Sequence, residues 1–283
     1  MLDPVRHVVL LEELDAGGRL VETPGGVAVA REPRGIRLAH VADVGGLVER
    51  VLEVAPESMA VEGEGEVAEQ FANSWAVAVG KQVEERGGVR LYRLGELRTP
   101  STQGKARLAE SGDVELCAEW LAAMAREEDE RRGWAVARSR NGVEERRLWV
   151  FEDGGGVVAM AAHRPVRRGV VRLGPIYTPP EFRRRGYGAA LTAHLARNLQ
   201  PAEICLRTDL GNPHSHGVYQ QLGFEAVADL RRFQLISRDW PGVRPWYGRP
   251  PASPIQRCIM PRPMSLRRAL WMPTVCSALT ERA

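Results

Sequence analysis

The chain has 283 residues, 44% hydrophobic and 27% charged, with a formal net charge of +3. That length suits one large domain or two smaller ones with real cores. No window approaches the ~18–20 apolar residues of a membrane span, and Met1-Leu2-Asp3-Pro4 lacks the basic start and apolar core of a signal peptide, so a cytoplasmic location and no membrane partner are expected. The net charge hides an asymmetry: residues 237–283 carry a net +6, which leaves the rest at −3. A mildly acidic body argues against nucleic acid as the partner. The four cysteines (117, 205, 258, 276) show neither zinc-site nor disulfide spacing.

In chain order, Leu2–Leu14 has the spacing of an amphipathic helix ending near Gly17-Gly18. Val27–Ala30 and Ile36–Ala39 read as short strands joined at Pro33-Arg34-Gly35. Val41–Val54 is helical in period, with Val44, Leu47, Val48, Val51 and Leu52 on one face. Gly63–Val79 continues into a helix, Gly63 and Gly65 reading as a linker turn, and Gly88–Leu94 reads as a strand. Residues 99–104 are the expected linker between a domain over 1–98 and one over 105–236.

Beyond the linker, Ala106–Ala109 is a strand, and Asp113 caps a helix that turns Val114, Cys117, Trp120, Leu121 and Met124 inward. A second, more polar helix covers part of Glu127–Ser139 and stops at Asn141-Gly142. Leu148–Phe151 and Val157–Ala162 flank the hairpin signal Asp153-Gly154-Gly155-Gly156. Arg167-Arg168-Gly169 turns the next hairpin into Val170–Tyr177.

The chain is organised around Gly174–Leu191. Pro179 and Pro180 stop the strand; Arg183-Arg184-Arg185-Gly186-Tyr187-Gly188 leads into a helix with Tyr187, Leu191 and Leu195 on one face. Strand, basic glycine loop and helix together make a cradle for a pyrophosphate: outward-pointing amides, no Cβ in the way, and full positive charges beside them. A P-loop is excluded because no lysine follows either glycine, and a dinucleotide fingerprint because Leu191 stands at its third glycine. Downstream, Ile204–Thr208 reads as a strand; Asn212 caps a helix begun by Pro213, carrying Ser215 and Tyr219 on one face and stopped by Gly223. Prolines break every candidate element over 237–283, which is expected to be a disordered Pro/Arg-rich tail.

Arg183-x-x-Gly186-x-Gly188 resembles the acyl-CoA loop of the GNAT superfamily (Gcn5-related N-acetyltransferases), and Ile204–Phe224 resembles its second signature, with Asn212, Ser215, Tyr219, Gly223 and Phe224 in place. The resemblance covers about 105–236, where the element order βααβββαβαβ is the family's. It implies an α/β (α+β) fold: a mixed, mostly antiparallel sheet with two splayed parallel strands, flanked by helices. Residues 1–98 look like a degenerate GNAT-like copy without phosphate loop or Asn…Tyr helix.

The resemblance implies transfer of an acyl group, acetyl by preference, from acetyl-CoA as cosubstrate to a primary amine, without a metal. The main chain of Ile176, Tyr177 and Thr178 would hold the pantetheine and thioester. Arg183, Arg184, Arg185, Gly186, Tyr187, Gly188 and Ala189 would hold the pyrophosphate, with Asn212 and Ser215 as further cofactor contacts beside their cap and helix roles. Tyr219 is the family's usual acid position, with core packing as its other reading. The base is open: Val170–Thr178 contains no carboxylate, Glu181 is nearest, and Glu152, His163 or no side chain are alternatives. His214-x-His216 is discounted as a metal site, because residues two apart on a helix diverge. A non-catalytic acyl-CoA sensor and an arginine-rich nucleic-acid binder are the competing functions. Acceptor and oligomeric state are not legible.

Overall fold

In the computed structural model, which describes residues 2–125 and 130–237, eleven strands form a single sheet. The first part of the chain contributes α1 (Val8–Asp15), β1 (Arg19–Thr23), β2 (Gly26–Arg31), β3 (Gly35–Val41), α2 (Val44–Val54), β4 (Ala60–Glu64), α3 (Gly65–Ala78) and β5 (Gln82–Leu94). The second contributes β6 (Lys105–Leu108), α4 (Val114–Ala125), α5 (Glu130–Glu144), β7 (Leu148–Asp153), β8 (Gly156–His163), β9 (Val170–Tyr177), α6 (Tyr187–Asn198), β10 (Glu203–Asp209), α7 (Pro213–Gln221) and β11 (Phe224–Ile236). The order from β6 to β11 is the expected βααβββαβαβ. The tail beyond residue 237 lies outside the described residues.

Several local expectations are corrected. The first helix starts at Val8 rather than Leu2, because the Asp3 carboxylate accepts from the amides of Val5 (2.8 Å) and Arg6 (3.0 Å) and holds that stretch as a turn. Gly63 belongs to β4, not to a linker; its Cβ would sit 3.0 Å from Leu38, so glycine fits the close approach of β3. The glutamates around it disguise a buried strand. The polar helix α5 runs through Asn141-Gly142 to Glu144, with Gly142 admitting Leu148 where a Cβ would come within 3.1 Å. The left-handed residue behind it is Arg146 (φ 53°). Met124 is exposed, whereas Val114, Cys117, Trp120 and Leu121 are buried. Asp113 closes a 3-10 turn by accepting from the Glu110 amide, and Arg107 grips its other side.

Strand order across the sheet is β1-β2-β3-β4-β11-β5-β10-β9-β8-β7-β6. Apart from β6, it reads the same from either end once β1–β5 are matched to β7–β11. The long closing strands are exchanged: β11 pairs with β4, β5 pairs with β10, and the two pair with each other along the middle. Only β3–β4 and β9–β10 are parallel.

Alternation along the strands sends side chains to two faces. Val171, Leu173, Ile204 and Leu206 pack under α6 with Tyr92 and Phe224. On the other face Val170 and Cys205 meet Val5 and Val8, and Leu148, Val150 and Met160 meet α4 and α5. α2 and α3 cover the first part of the sheet through Leu47, Val51, Phe71 and Trp75.

A buried ion pair spans the exchanged strands from the two strands that flank them. Glu62 of β4 is 3% exposed, pairs with Arg207 of β10 at 2.6 Å, and lies 3.8 Å from Arg37. Burial opposes its charge, but the surrounding guanidiniums hold its carboxyl below the ordinary range. Replacing Glu62 by Ala leaves Arg207 charged and unpaired inside; urea titration should register a loss of about 3–5 kcal/mol. Gly223 is the second sensitive position: φ is 94°, and a Cβ would sit 1.9 Å from the Glu96 carbonyl oxygen. Gly223→Ala should cost about 3 kcal/mol and lower the thermal midpoint.

Candidate active site

The parallel pair β9–β10 is in register from Val170↔Glu203 to Leu173↔Leu206 and no further. Both strands continue, to Tyr177 and Asp209, so their main chains part after Leu173. On its other edge β9 keeps its partner, with Ile176 opposite Ala161 and Tyr177 opposite Met160. The edge of Gly174–Tyr177 facing β10 is therefore free to pair with something that is not a strand.

α6 begins beside this gap. Its N-cap is Gly186 (φ 81°), no side chain caps it, and its first helical bond is from the Ala190 amide to the Gly186 carbonyl at 2.9 Å. The amides of Tyr187, Gly188 and Ala189 have no acceptor within the helix. Arg184 is also left-handed (φ 63°), and Arg183, Arg184 and Arg185 are exposed. A Cβ on Gly186 would lie 2.8 Å from Thr102 Oγ1, and one on Gly188 3.0 Å from Thr178 Oγ1. Uncapped amides, a helix N-terminus and three arginines fit a diphosphate.

The loop is anchored from both sides. The Tyr187 ring is buried against Phe151 (centroids 5.7 Å apart), and its hydroxyl donates to the Asp153 carboxylate, so only its backbone faces the gap. Arg183 Nε donates to the Thr178 carbonyl at 3.0 Å, and its guanidinium lies 5.9 Å from the Tyr177 ring centre. Arg183 thus ties the loop to the end of β9, leaving Arg184 and Arg185 as its unengaged cations among the described residues. From the linker, Thr99 accepts from Arg197 at 2.6 Å.

α7 brings the other residues. Asn212 caps it by accepting from the Ser215 amide at 3.1 Å, so its side-chain oxygen is engaged in the cap. Tyr219 packs on Tyr92 (6.2 Å) and edge-on to Phe224 (6.0 Å), within the same apolar cluster as Ile176 and Ala189. Among the described residues nothing hydrogen-bonds its hydroxyl, and burial pushes the phenol up to about 12. Such a group keeps its proton at neutral pH.

The possible bases fall apart. Glu181 lies exposed in a 3-10 turn, Pro180–Phe182, with no hydrogen bond among the described residues. Glu152 is held by Arg107 at 2.6 Å and Lys105 at 3.4 Å, which keep its carboxyl below the usual range and make it a poor proton acceptor. His163 lies opposite Leu173, where the strands part; its Nδ1 is 2.9 Å from the Arg164 carbonyl, and burial lowers its pKa. His216 meets the Tyr92 hydroxyl at 2.8 Å. No group of three or more His, Cys, Asp or Glu suited to a metal occurs among the described residues.

Sequence reasoning missed Tyr92, the residue under Tyr219. It comes from β5, more than a hundred residues upstream, and reaches α7 only because the closing strands are exchanged. No local motif marks it.

Residues 114–224 match the model of the Acetyltransferase (GNAT) family. This segment is similar to GNAT domains. The match starts with α4 and ends with Phe224, so it takes in the strand gap, the α6 loop and α7. Whole-chain structural similarity extends further. A GCN5-related N-acetyltransferase from Kribbella flavida is 19% identical, with a TM-score of 0.58 over 86% of this chain and 97% of that one. An acetyltransferase from the GNAT family of Colwellia psychrerythraea is 12% identical (TM-score 0.55; 83% of this chain and 90% of that one). A GCN5-related N-acetyltransferase from Sphaerobacter thermophilus is 14% identical (TM-score 0.52; 78% of each chain). At these identities the likeness is one of fold, and it spans both parts of the sheet. No curated protein sequence matches. No described helix is long and apolar enough to cross a membrane.

Gly188→Glu puts a side chain and a negative charge into the α6 cradle. Calorimetric titration with acetyl-CoA should give micromolar binding to the wild type and none to this variant; equal binding by both would remove the cradle as the site.

Proposed function

We propose that this protein is an acyl-CoA-dependent N-acyltransferase that passes an acyl group, acetyl by preference, to a primary amine by direct attack. The observation that carries the reading is the parting of β9 and β10 after Leu173 and Leu206, directly ahead of an uncapped basic glycine loop. In this reading the free main chain of Ile176 and Tyr177, with the Thr178 amide, pairs with the pantetheine and aligns the thioester. The amides from Arg184 to Ala189, with Arg184 and Arg185, take the diphosphate. Asn212 and Ser215 hold the start of α7, and through it Tyr219, beside the gap. A cytoplasmic location remains part of the proposal.

The amine attacks the thioester carbonyl, and the C–S bond breaks as the tetrahedral intermediate collapses. The thiolate takes a proton from the Tyr219 phenol, which its apolar surroundings keep protonated. The amine must lose one proton on the way; His163, lowered in pKa and next to the parting of the strands, is better placed for this than Glu152 or Glu181. Residues 1–98 are, in the same proposal, a degenerate copy of the 105–236 domain, acting as scaffold and acceptor-side wall.

Tyr219→Phe should lower kcat by about a hundredfold or more while leaving acetyl-CoA affinity unchanged. With the phenol up at about 12, wild-type kcat should show no decline from loss of its proton below roughly pH 10. Full activity in the phenylalanine variant would end the acid assignment. Acetyl-CoA binding without transfer to any amine, in wild type and variant alike, would favour a non-catalytic sensor.

A further inference from the structure

Acyl-CoA held on the α6 side presents its thioester through the gap, so the amine arrives from the other face of the sheet, where α1, α4 and α5 lie. Along β9 that face carries Arg172, then Gly174, where a Cβ would meet nothing within 4 Å, then Tyr177 against Trp120 of α4 at 6.0 Å. Beside Arg172 the guanidiniums crowd. Arg164 donates its amide to the Arg172 carbonyl at 2.9 Å, His163 donates its own to the Arg147 carbonyl at 3.1 Å, and Arg138 reaches the same group from α5.

Two of these cations are balanced. Arg172 is bound by Glu12 of α1 through two hydrogen bonds (2.9 and 2.5 Å), and Arg147 pairs with Glu145. Arg138 and Arg164 are half-buried and have no carboxylate partner among the described residues, and Arg164 Nε is fully buried without a hydrogen bond. Burial and the charges of Arg164, Arg172 and Arg147 press Arg138 down to about 10, and similar neighbours press on Arg164. Trp134, 52% exposed, lies over Arg138 at 5.4 Å. Glu12, already bound to Arg172, is the carboxylate that acts on both Arg138 and Arg164. One anion shared by Arg138, Arg164 and Arg172 leaves a positive excess that an anion arriving from solution would relieve.

We propose that Arg138 and Arg164, walled by Trp134, form the acceptor subsite of this enzyme and select an amine that carries an anionic group, carboxylate or phosphate. The inference rests on the acyltransferase reading. From Arg172 to Ile176 is four residues of strand, roughly 13 Å. Arginine side chains shorten that span, so the acceptor is an extended small molecule with its amine and anion at opposite ends.

The test uses matched probes: 6-aminohexanoate against 6-aminohexanamide, and 3-aminopropyl phosphate against 3-aminopropanol. Full-length wild type and the Arg138→Gln/Arg164→Gln variant are compared for acetyl transfer and for calorimetric binding of each probe in the presence of CoA. Wild type should favour the charged member of at least one pair by about tenfold or more in kcat/KM or affinity. The variant should bring that ratio to within about twofold, with acetyl-CoA affinity and thermal midpoint undiminished. The pair showing the preference tells carboxylate from phosphate. No preference in wild type, or one that survives in the variant, overturns the subsite. Failure of wild type to bind acetyl-CoA would instead overturn the acyltransferase reading beneath it.

Discussion

The exchange of closing strands is the constraint on which the rest of this structure depends. β5 and β11 each leave the part of the chain that encodes them and fill the sheet beside the other part's parallel pair. Neither β4 nor β10 then has an exposed edge toward the centre. Tyr92 and His216, encoded far apart, meet at 2.8 Å as a consequence. Glu62 and Arg207 face each other on the strands flanking the exchanged pair, and their charges can be buried only because the exchange brings them together. Residues 2–237 thus share one sheet, which is a reason to expect poor behaviour from a fragment ending at the linker.

Much of the second part can be read from sequence because its signals are local. Asn212-Pro213 starts α7 and Gly223 ends it by backbone rules that do not depend on tertiary context. The Asp153–Gly156 turn works likewise, with Gly154 and Gly155 both left-handed. The first part is harder. No local signal marks β1, and β4 is hidden because Val61-Glu62-Gly63-Glu64 looks like a solvated run. Its glutamate is tolerated inside only because Arg207 and Arg37 come from elsewhere in the chain. A charge that is paid for by a distant partner leaves no trace in its own neighbourhood. The same limit applies to the candidate site: the cradle is contiguous and therefore visible, whereas Tyr92 and the proposed acceptor residues Arg138 and Arg164 come from separate elements.

The two parallel pairs occupy equivalent places in the sheet, yet their chemistry differs. β3 and β4 are in register only at Ile36↔Val61 and Arg37↔Glu62 before they too diverge. At the end of β4, Arg6 is bound to Glu64, so a cation and an anion of the chain itself already satisfy each other there. The helix that follows β3 is capped by Asp43, whose carboxylate accepts from the Gly46 amide at 3.1 Å. An aspartate in that position repels a phosphate as surely as it satisfies the helix. After β9 the corresponding helix has a glycine at the cap, no side chain over its amides, and arginines before it. A helix N-terminus must be satisfied by something. In α2 the chain supplies that anion itself; in α6 no side chain does so among the described residues. This difference in capping residue and neighbouring charge sets the two gaps apart, and the proposed cofactor site rests on it.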